Sequence, residues 1–299
     1  MTANGLLVVD KPRGPTSHDI VARARRLLGT RAVGHAGTLD PMATGVLVLL
    51  VGEATKLTNY LSLDDKEYRA VVEFGRGTDT CDAEGAITEE TELPEGFPEP
   101  RELEAALEAE RTRTEQIPPS FSAISVEGQR AHRLARRGEA VVLPPRPVRV
   151  KTLTLVECDR AGPRARASLH LAVSKGYYVR SLARDLGRSL GVPAHLMYLQ
   201  RTASGPYRLE TAMKWPPDAA PELVSLEAAA CTALPSAHLT TAGEALARRG
   251  STLAAEHFSS EPPRCLAAWL STGHRLVALG HLAGDGYRVV RGFRGDLPQ

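Results

Sequence analysis

The chain has 299 residues, 42% apolar and 24% charged, the proportions of an ordinary globular protein and more chain than a single domain usually holds. No run of about 18 apolar residues occurs, so no helix is expected to span a membrane. The net charge is +2, and Cys81, Cys158, Cys231 and Cys265 stand far apart with no C-x-x-C pair, which excludes a disulfide framework or a cysteine-built zinc site.

The opening "MTANGLLVVDKPRG" lacks a basic region followed by a long apolar stretch, so no signal peptide is expected and a cytoplasmic location is. Within it "GLLVVDKPRG" reads as a short buried strand running into a Pro/Gly turn. "TSHDIVARARRLLG" is predicted to be a helix. Thr16 and Asp19 have capping-box spacing, Ile20, Val21, Ala24, Leu27 and Leu28 form one apolar face, and Gly29 ends it. "GHAGTLDPMATG", residues 34–45, follows, then two strand-like runs, "VLVLLVG" and "YRAVVEFG". "PRELEAALEAERTR" is predicted to be a helix with Pro100 near its start.

"EQIPPSFSAISVEGQRAHRLARRGEAVVLPPRPVRV" has two Pro-Pro pairs and a basic middle, the marks of an excursion from the main body. "ASLHLAVSKGYYVRSLARDLGRSLG" reads as strand, glycine turn and amphipathic helix, and a domain boundary is expected between residues 220 and 236. "RLVALGHLAGDGYRVVRGF" reads as a hairpin turned at Asp285-Gly286. The elements interleave without a regular βαβ rhythm, which points to an α+β fold with a mixed, mostly antiparallel central sheet flanked by helices.

Charge is segregated along the chain. Asp79 to Glu110 holds twelve acidic residues and one basic, a local net of −11; Arg111 to Arg208 holds eighteen basic and six acidic, a net of +12. The Arg-rich block suits a polyanion such as RNA, and the two blocks are expected on separate faces.

The segment around Asp40 carries the chemistry. Asp-Pro is also a turn or helix-start signature, but here Gly34, Gly37 and Gly45 let the backbone present one side chain closely, and Leu39 and Met42 partly desolvate it. A desolvated carboxylate needs a cation beside it, and Arg180, at a helix start after a glycine turn, stands out, with Arg184 and Arg188 on the same face. Tyr68 in "DKEYRA" is either core or a stacking platform for an unstacked base, and His35 is a loop-side candidate.

"GHAGTLDPMATG" resembles the catalytic motif of the TruB-type tRNA pseudouridine synthases. "LLVVDKPRGPTS", "KEYRA", "RGTDTCDAEG", "IPPSFSAISVEGQRAHRLARRG", "SKGYYVRSLARDLG" and "LQRTASGPY" resemble further motifs of that family, in its order, across roughly residues 5 to 210. The resemblance implies the pseudouridine-synthase fold and Asp40 as the catalytic carboxylate. It implies Tyr68 stacking on the target base, Arg180 pairing with Asp40, Lys11 supporting the catalytic loop from behind, and His35 helping to turn the base out. RNA contacts are expected from Arg130, Arg133, Arg136, Arg137, Tyr178, Arg184 and Arg201. Gln200 stands where the family usually has an arginine.

Residues 1–230 are then expected to form the catalytic domain, with a thumb-like insertion near 120–150 closing on the T-arm of tRNA. Residues 236–299 are expected to form a small β-rich, PUA-like RNA-binding domain. The implied reaction, uridine to pseudouridine at position 55 of the T-loop, requires no cofactor and no metal. A stand-alone monomer acting on tRNA, with a secondary part in tRNA folding, is the leading expectation. A non-catalytic RNA-binding relative and a synthase of another RNA are the alternatives.

Overall fold

The two most apolar runs of the chain become neighbouring strands. In the computed structural model, which describes residues 4–62, 65–122, 124–126, 128–139, 141–218 and 221–294, Gly5–Lys11 pairs antiparallel with Thr44–Val51, and Lys11 lies opposite Gly45. Leu7, Val9, Leu47, Leu49 and Val51 point into one apolar cluster, while Leu6, Val46, Val48 and Leu50 point into a second on the opposite face. Period-2 alternation therefore buries both faces, which is why these runs are continuous in sequence.

They sit in a sheet ordered Val150–Ala161, Arg164–Val173, Lys66–Phe74, Ala194–Ser204, Thr44–Val51, Gly5–Lys11, Met213–Lys214. Ala194–Ser204 runs parallel to Thr44–Val51 and Met213–Lys214 parallel to Gly5–Lys11; the other neighbours on this path are antiparallel. The sheet is mixed and mostly antiparallel, within an α+β fold.

Helices Ser17–Leu27, Pro100–Arg111 and Val179–Ser189 cover one face through Ile20, Val21, Ala24, Leu103, Leu107, Leu182, Ala183 and Leu186. Thr16 caps the first, its hydroxyl accepting from the Asp19 amide while the Asp19 carboxylate accepts from the Thr16 amide. Among the described residues no helix is long and apolar enough to cross a membrane.

The C-terminal region is β-rich: Ser236–His238, Ala267–Leu270, Leu276–Ala283 and Gly286–Gly292 form a four-stranded sheet. Ala268 and Leu270 join Leu6, Val48 and Leu226 in the second apolar cluster, whereas Ala267 and Trp269 pack with Leu239, Ala247, Phe258 and Tyr287 in a third. Lys56 donates to the Gly292 carbonyl at 3.0 Å, its ammonium lies 5.5 Å from the Phe293 ring centre, and the Arg294 amide donates to Glu53 at 2.8 Å.

Two expectations change. The C-terminal hairpin turns at Gly284-Asp285, one residue earlier, because Ala283 pairs with Gly286 and Gly284 takes the positive φ of 70°. The acidic and basic blocks also interlock: Arg164 pairs with Glu90, Arg113 with Glu110 at 2.6 Å, and Arg111 with Glu104 and Glu108. The Arg111 and Arg113 pairs are local, three and seven residues apart, while Arg164 meets Glu90 across 74 residues, so part of the basic charge is already neutralised within the fold.

Candidate active site

Residues 37–43 form a loop between strand Val33–Ala36 and strand Thr44–Val51, and every anchor of that loop comes from a different element. Ser17, buried at the first turn of its helix, donates its hydroxyl to the Leu39 carbonyl at 2.9 Å and accepts from the Leu39 amide at 2.8 Å. Lys11, fully buried, donates to the carbonyls of Pro12 at 2.9 Å, Pro15 at 2.8 Å and Pro41 at 3.3 Å. Burial pulls its pKa down to about 8, against the opposing pull of Asp40 and Glu84. The Gly14 amide donates to the same Pro41 carbonyl at 2.8 Å.

Arg201 is 1% exposed and donates to the carbonyls of Val46 at 2.7 Å, Gly37 at 3.1 Å and Thr38 at 3.3 Å. The expected RNA contact is therefore corrected: this guanidinium is enclosed and braces the Asp40 loop. Gly45 makes the bracing feasible. Its φ is +100°, and a Cβ there would stand 2.2 Å from the Arg201 carbonyl oxygen.

Asp40 projects from this frame with its side chain 33% exposed, facing an Arg180 that is 6% exposed. Arg180 Nε lies 2.8 Å from Oδ2, off the line of a good hydrogen bond, and Nη2 donates to Oδ1 at 3.2 Å. Nη1 donates to the Thr80 carbonyl at 3.1 Å and Nη2 also to the Phe121 carbonyl at 3.0 Å. A second carboxylate, the buried Asp82, lies 3.7 Å from Arg180 Nε and accepts from the Thr80 hydroxyl at 2.6 Å and the Glu84 amide at 3.1 Å. The arrangement is an exposed carboxylate backed by one buried guanidinium, itself held between two carbonyls and a further carboxylate.

Tyr178, half-buried at the start of the Val179–Ser189 helix, is electrostatically coupled to Asp40 and Arg180, and burial raises its hydroxyl pKa. Tyr68 lies on Lys66–Phe74, partly buried against the core and opposite Arg201 in the sheet register. His35 lies on Val33–Ala36, its ring meeting His18 edge-on at 5.5 Å. Burial first, then His18 and Arg201, lower its pKa to about 4, and its buried Nδ1 has no hydrogen-bond partner among the described residues.

The other basic residues lie apart from this cluster. Arg184 donates to the Ile117 carbonyl at 2.9 Å and pairs with Asp185 at 2.8 Å, while Arg188 is exposed. Arg133 and Arg137 are exposed on the insertion, where Arg137 pairs with Glu139 at 2.6 Å. The side chains of Arg130 and Arg136 lie outside the described ones. Gln200 is half-buried and pairs along the sheet with Thr44, beside Arg201 and Gly45. Sequence reasoning assigned no role to Ser17, Asp82 or Gln116; Asp82 was within reach, since it sits inside "RGTDTCDAEG". Among the described residues no three His, Cys, Asp or Glu side chains converge to hold a metal ion.

The site is a loop-borne aspartate paired with a buried arginine on a mixed sheet, and comparison with known proteins gives the family. Residues 25–179 match the profile described as TruB family pseudouridylate synthase (N terminal domain), and residues 180–217 that of the tRNA pseudouridylate synthase B C-terminal domain. The chain is 45% identical over 253 residues to tRNA pseudouridine synthase B of Cutibacterium acnes, covering 84% of this chain and 85% of that one. It is 49% identical over 214 residues to tRNA pseudouridine synthase B of Thermobifida fusca, covering 70% and 72%. Its fold is similar to one in a crystal structure of a Cbf5-Nop10-Gar1 complex, with a TM-score of 0.70 and 25% identity, covering 97% of this chain and 85% of that one. The chain belongs to the TruB family of tRNA pseudouridine synthases. It is an enzyme, an isomerase that converts uridine to pseudouridine.

Proposed function

We propose that this synthase acts at position 55 in the T-loop of tRNA, with Asp40 as its catalytic carboxylate. The observation that carries the reading is the Asp40–Arg180 pair: a carboxylate open to substrate on one side and fixed by a buried guanidinium on the other, on a loop whose backbone is held by Ser17, Lys11 and Arg201. A surface that only bound RNA would need exposed cations and no such pair.

The reaction breaks the C1′–N1 glycosidic bond, turns the freed uracil and rejoins it through C5; the proton lost from C5 balances the one gained at N1. Asp40 acts at the sugar–base junction as nucleophile or base. Tyr68 provides a face for the flipped base, and the neutral His35 assists in turning it out. Extruding a uridine costs a few kcal/mol and aromatic stacking returns roughly 1–3, so contacts to the RNA backbone supply the remainder.

Residues 1–230 act as the catalytic domain, with the insertion near 120–150 closing over the T-arm, and residues 236–299 serve as a PUA-like accessory. The enzyme works as a cytoplasmic monomer and, by opening and releasing the tRNA elbow, assists tRNA folding. Phosphate contacts make its tRNA affinity fall steeply with salt; an affinity flat in salt removes the role given to residues 111–208.

The decisive experiment uses unmodified tRNA transcript with wild type and Asp40→Asn, mapping pseudouridine by carbodiimide and primer extension and measuring binding in parallel. The reading requires that wild type marks the T-loop uridine while Asp40→Asn binds and makes none. Modification at another uridine moves the substrate assignment, and an active Asn variant removes Asp40 from the chemistry.

A further inference from the structure

A helix start leaves backbone N–H groups without intrahelical partners, and a Ser, Thr, Asp or Asn at the cap usually answers them. The helix that carries Arg180 has Tyr178 at its cap, and no side-chain capping bond is made there. A residue 62 positions earlier in the chain holds Tyr178 by its backbone. Gln116, buried, accepts from the Tyr178 amide through Oε1 at 2.8 Å and donates from Nε2 to the Tyr178 carbonyl at 3.1 Å.

A primary amide carries an acceptor and donors on one planar group, so a single glutamine matches both polar groups of one residue as a neighbouring strand would. An ionised Glu lacks the donor, and Asn is one methylene shorter. The next residue continues the grip: the Ile117 carbonyl accepts from the Ser181 hydroxyl and from Arg184 Nη2, both at 2.9 Å. Gln116 is itself anchored, since Glu115–Gln116 pairs with Arg146–Pro147 at the root of the insertion.

We propose that Gln116 is a positioning residue for the isomerisation: its two-point clamp on Tyr178 sets where Arg180, two residues on, meets Asp40. The inference rests on the reading of Asp40 and Arg180 as the reactive carboxylate and its partner. A displacement of about 1 Å at such a group costs on the order of 100-fold in rate. Because Gln116 lies at the root of the insertion, the same clamp ties the seating of the insertion to the aim of the guanidinium.

The test compares wild type, Gln116→Met, Gln116→Glu, Arg180→Lys and the Gln116→Met/Arg180→Lys double variant on unmodified tRNA transcript, under single turnover with enzyme in excess. Gln116→Met keeps the volume and removes both hydrogen bonds. The expected result is a rate at saturation lower by about 10- to 100-fold with half-saturation within about threefold of wild type. Gln116→Glu, which keeps the acceptor for the Tyr178 amide, recovers part of the loss.

In the Arg180→Lys background Gln116→Met costs less than about threefold, because the group it positions is already gone. A purely structural glutamine would multiply its cost in both backgrounds. The proposal is overturned by a Gln116→Met rate within about twofold of wild type, by a loss confined to half-saturation, or by an undiminished cost in the Arg180→Lys background. If Gln116→Met does not fold, Gln116→Glu carries the same decision: a lower rate at unchanged half-saturation supports the clamp, and an unchanged rate removes it. Asp40→Asn, run alongside, separates the failures. An active Asn variant overturns the reading of the site, whereas an inactive one beside a fully active Gln116→Met overturns the clamp alone.

Discussion

Residues 34–45, with three glycines, and residues 117–147, with two Pro-Pro pairs, are anchored in different ways. The Asp40 loop is held along its length by buried groups from other elements, Ser17 on Leu39, Lys11 on Pro41 and Arg201 on Gly37 and Thr38, with Leu39 and Met42 in the core. Among the described residues, 117–147 is held at its root by Gln116, Ile117 and Phe121; beyond it Ala131 and Leu143 are buried, whereas Val142 is 87% exposed and Arg133 and Arg137 stand in solvent. On the reading proposed above, the difference is one of task. A group that meets a developing charge works best fixed before the substrate arrives, whereas a surface that closes on RNA must adapt to it.

The comparison breaks most visibly at Asp40. Asp40→Asn is expected to lower the single-turnover rate by at least about 10⁴-fold while leaving tRNA affinity within about threefold. A residual rate above about 1% would mean that the fixed loop is not where the chemistry happens. Next in size is Arg201→Met, which leaves the carbonyls of Val46, Gly37 and Thr38 without their buried donor. Urea unfolding should show a loss of about 2–4 kcal/mol, and the rate should fall about 10- to 100-fold as the loop relaxes. Lost affinity at an unchanged rate would instead restore Arg201 to the RNA surface.

Substitutions on the insertion should act the other way. Arg133→Ala/Arg137→Ala is expected to leave the saturated rate within about twofold of wild type, to weaken binding about tenfold near physiological salt, and to reduce the salt slope by about one for each phosphate no longer neutralised. A filter-binding series over salt concentration checks this. An unchanged slope would place the phosphate track elsewhere, for which the exposed Arg188 is the next candidate.

The sheet was legible because its code is short-range. The short apolar runs Leu6–Val9 and Val46–Val51 read as buried strands, and Thr16 with Asp19 announced the first helix by spacing alone. The pairing of Asp40 with Arg180, 140 residues apart, was suggested by charge logic and by resemblance, and the geometry brings the two together. The rest depends on side chains whose partners are backbone groups. Nothing in the local pattern around Arg201 separates a guanidinium that reaches phosphate from one that braces three carbonyls, and a basic composition favours the first. Ser17 and Gln116 carried no signal in the sequence, because the carbonyls and amides they serve become neighbours only after the sheet closes. The interlocked charge blocks were hidden for the same reason: Glu90 meets Arg164 across 74 residues.

His35 yields the smallest expected effect and the sharpest reading of how firmly the loop region is built. Its ring is largely enclosed beside His18 and Arg201, and burial holds its pKa near 4 against an ordinary 6.5. In the unfolded chain His35 takes up a proton as pH falls through 6.5, whereas in the folded chain it resists until about 4. The folded state therefore binds fewer protons across that window, and stability is full above 6.5 and is lost on acidification towards 4. Allowing for its partial exposure, the difference amounts to about 1–2 kcal/mol, read as the extra loss of wild type over His35→Gln in urea unfolding at about pH 7, 5.5 and 4.5. Carboxylates elsewhere titrate in both proteins and cancel. Parallel curves for the two proteins would mean that the strand leading into the Asp40 loop opens enough to hydrate the imidazole, and the contrast between a fixed loop and an adaptable insertion would then shrink from the loop's side.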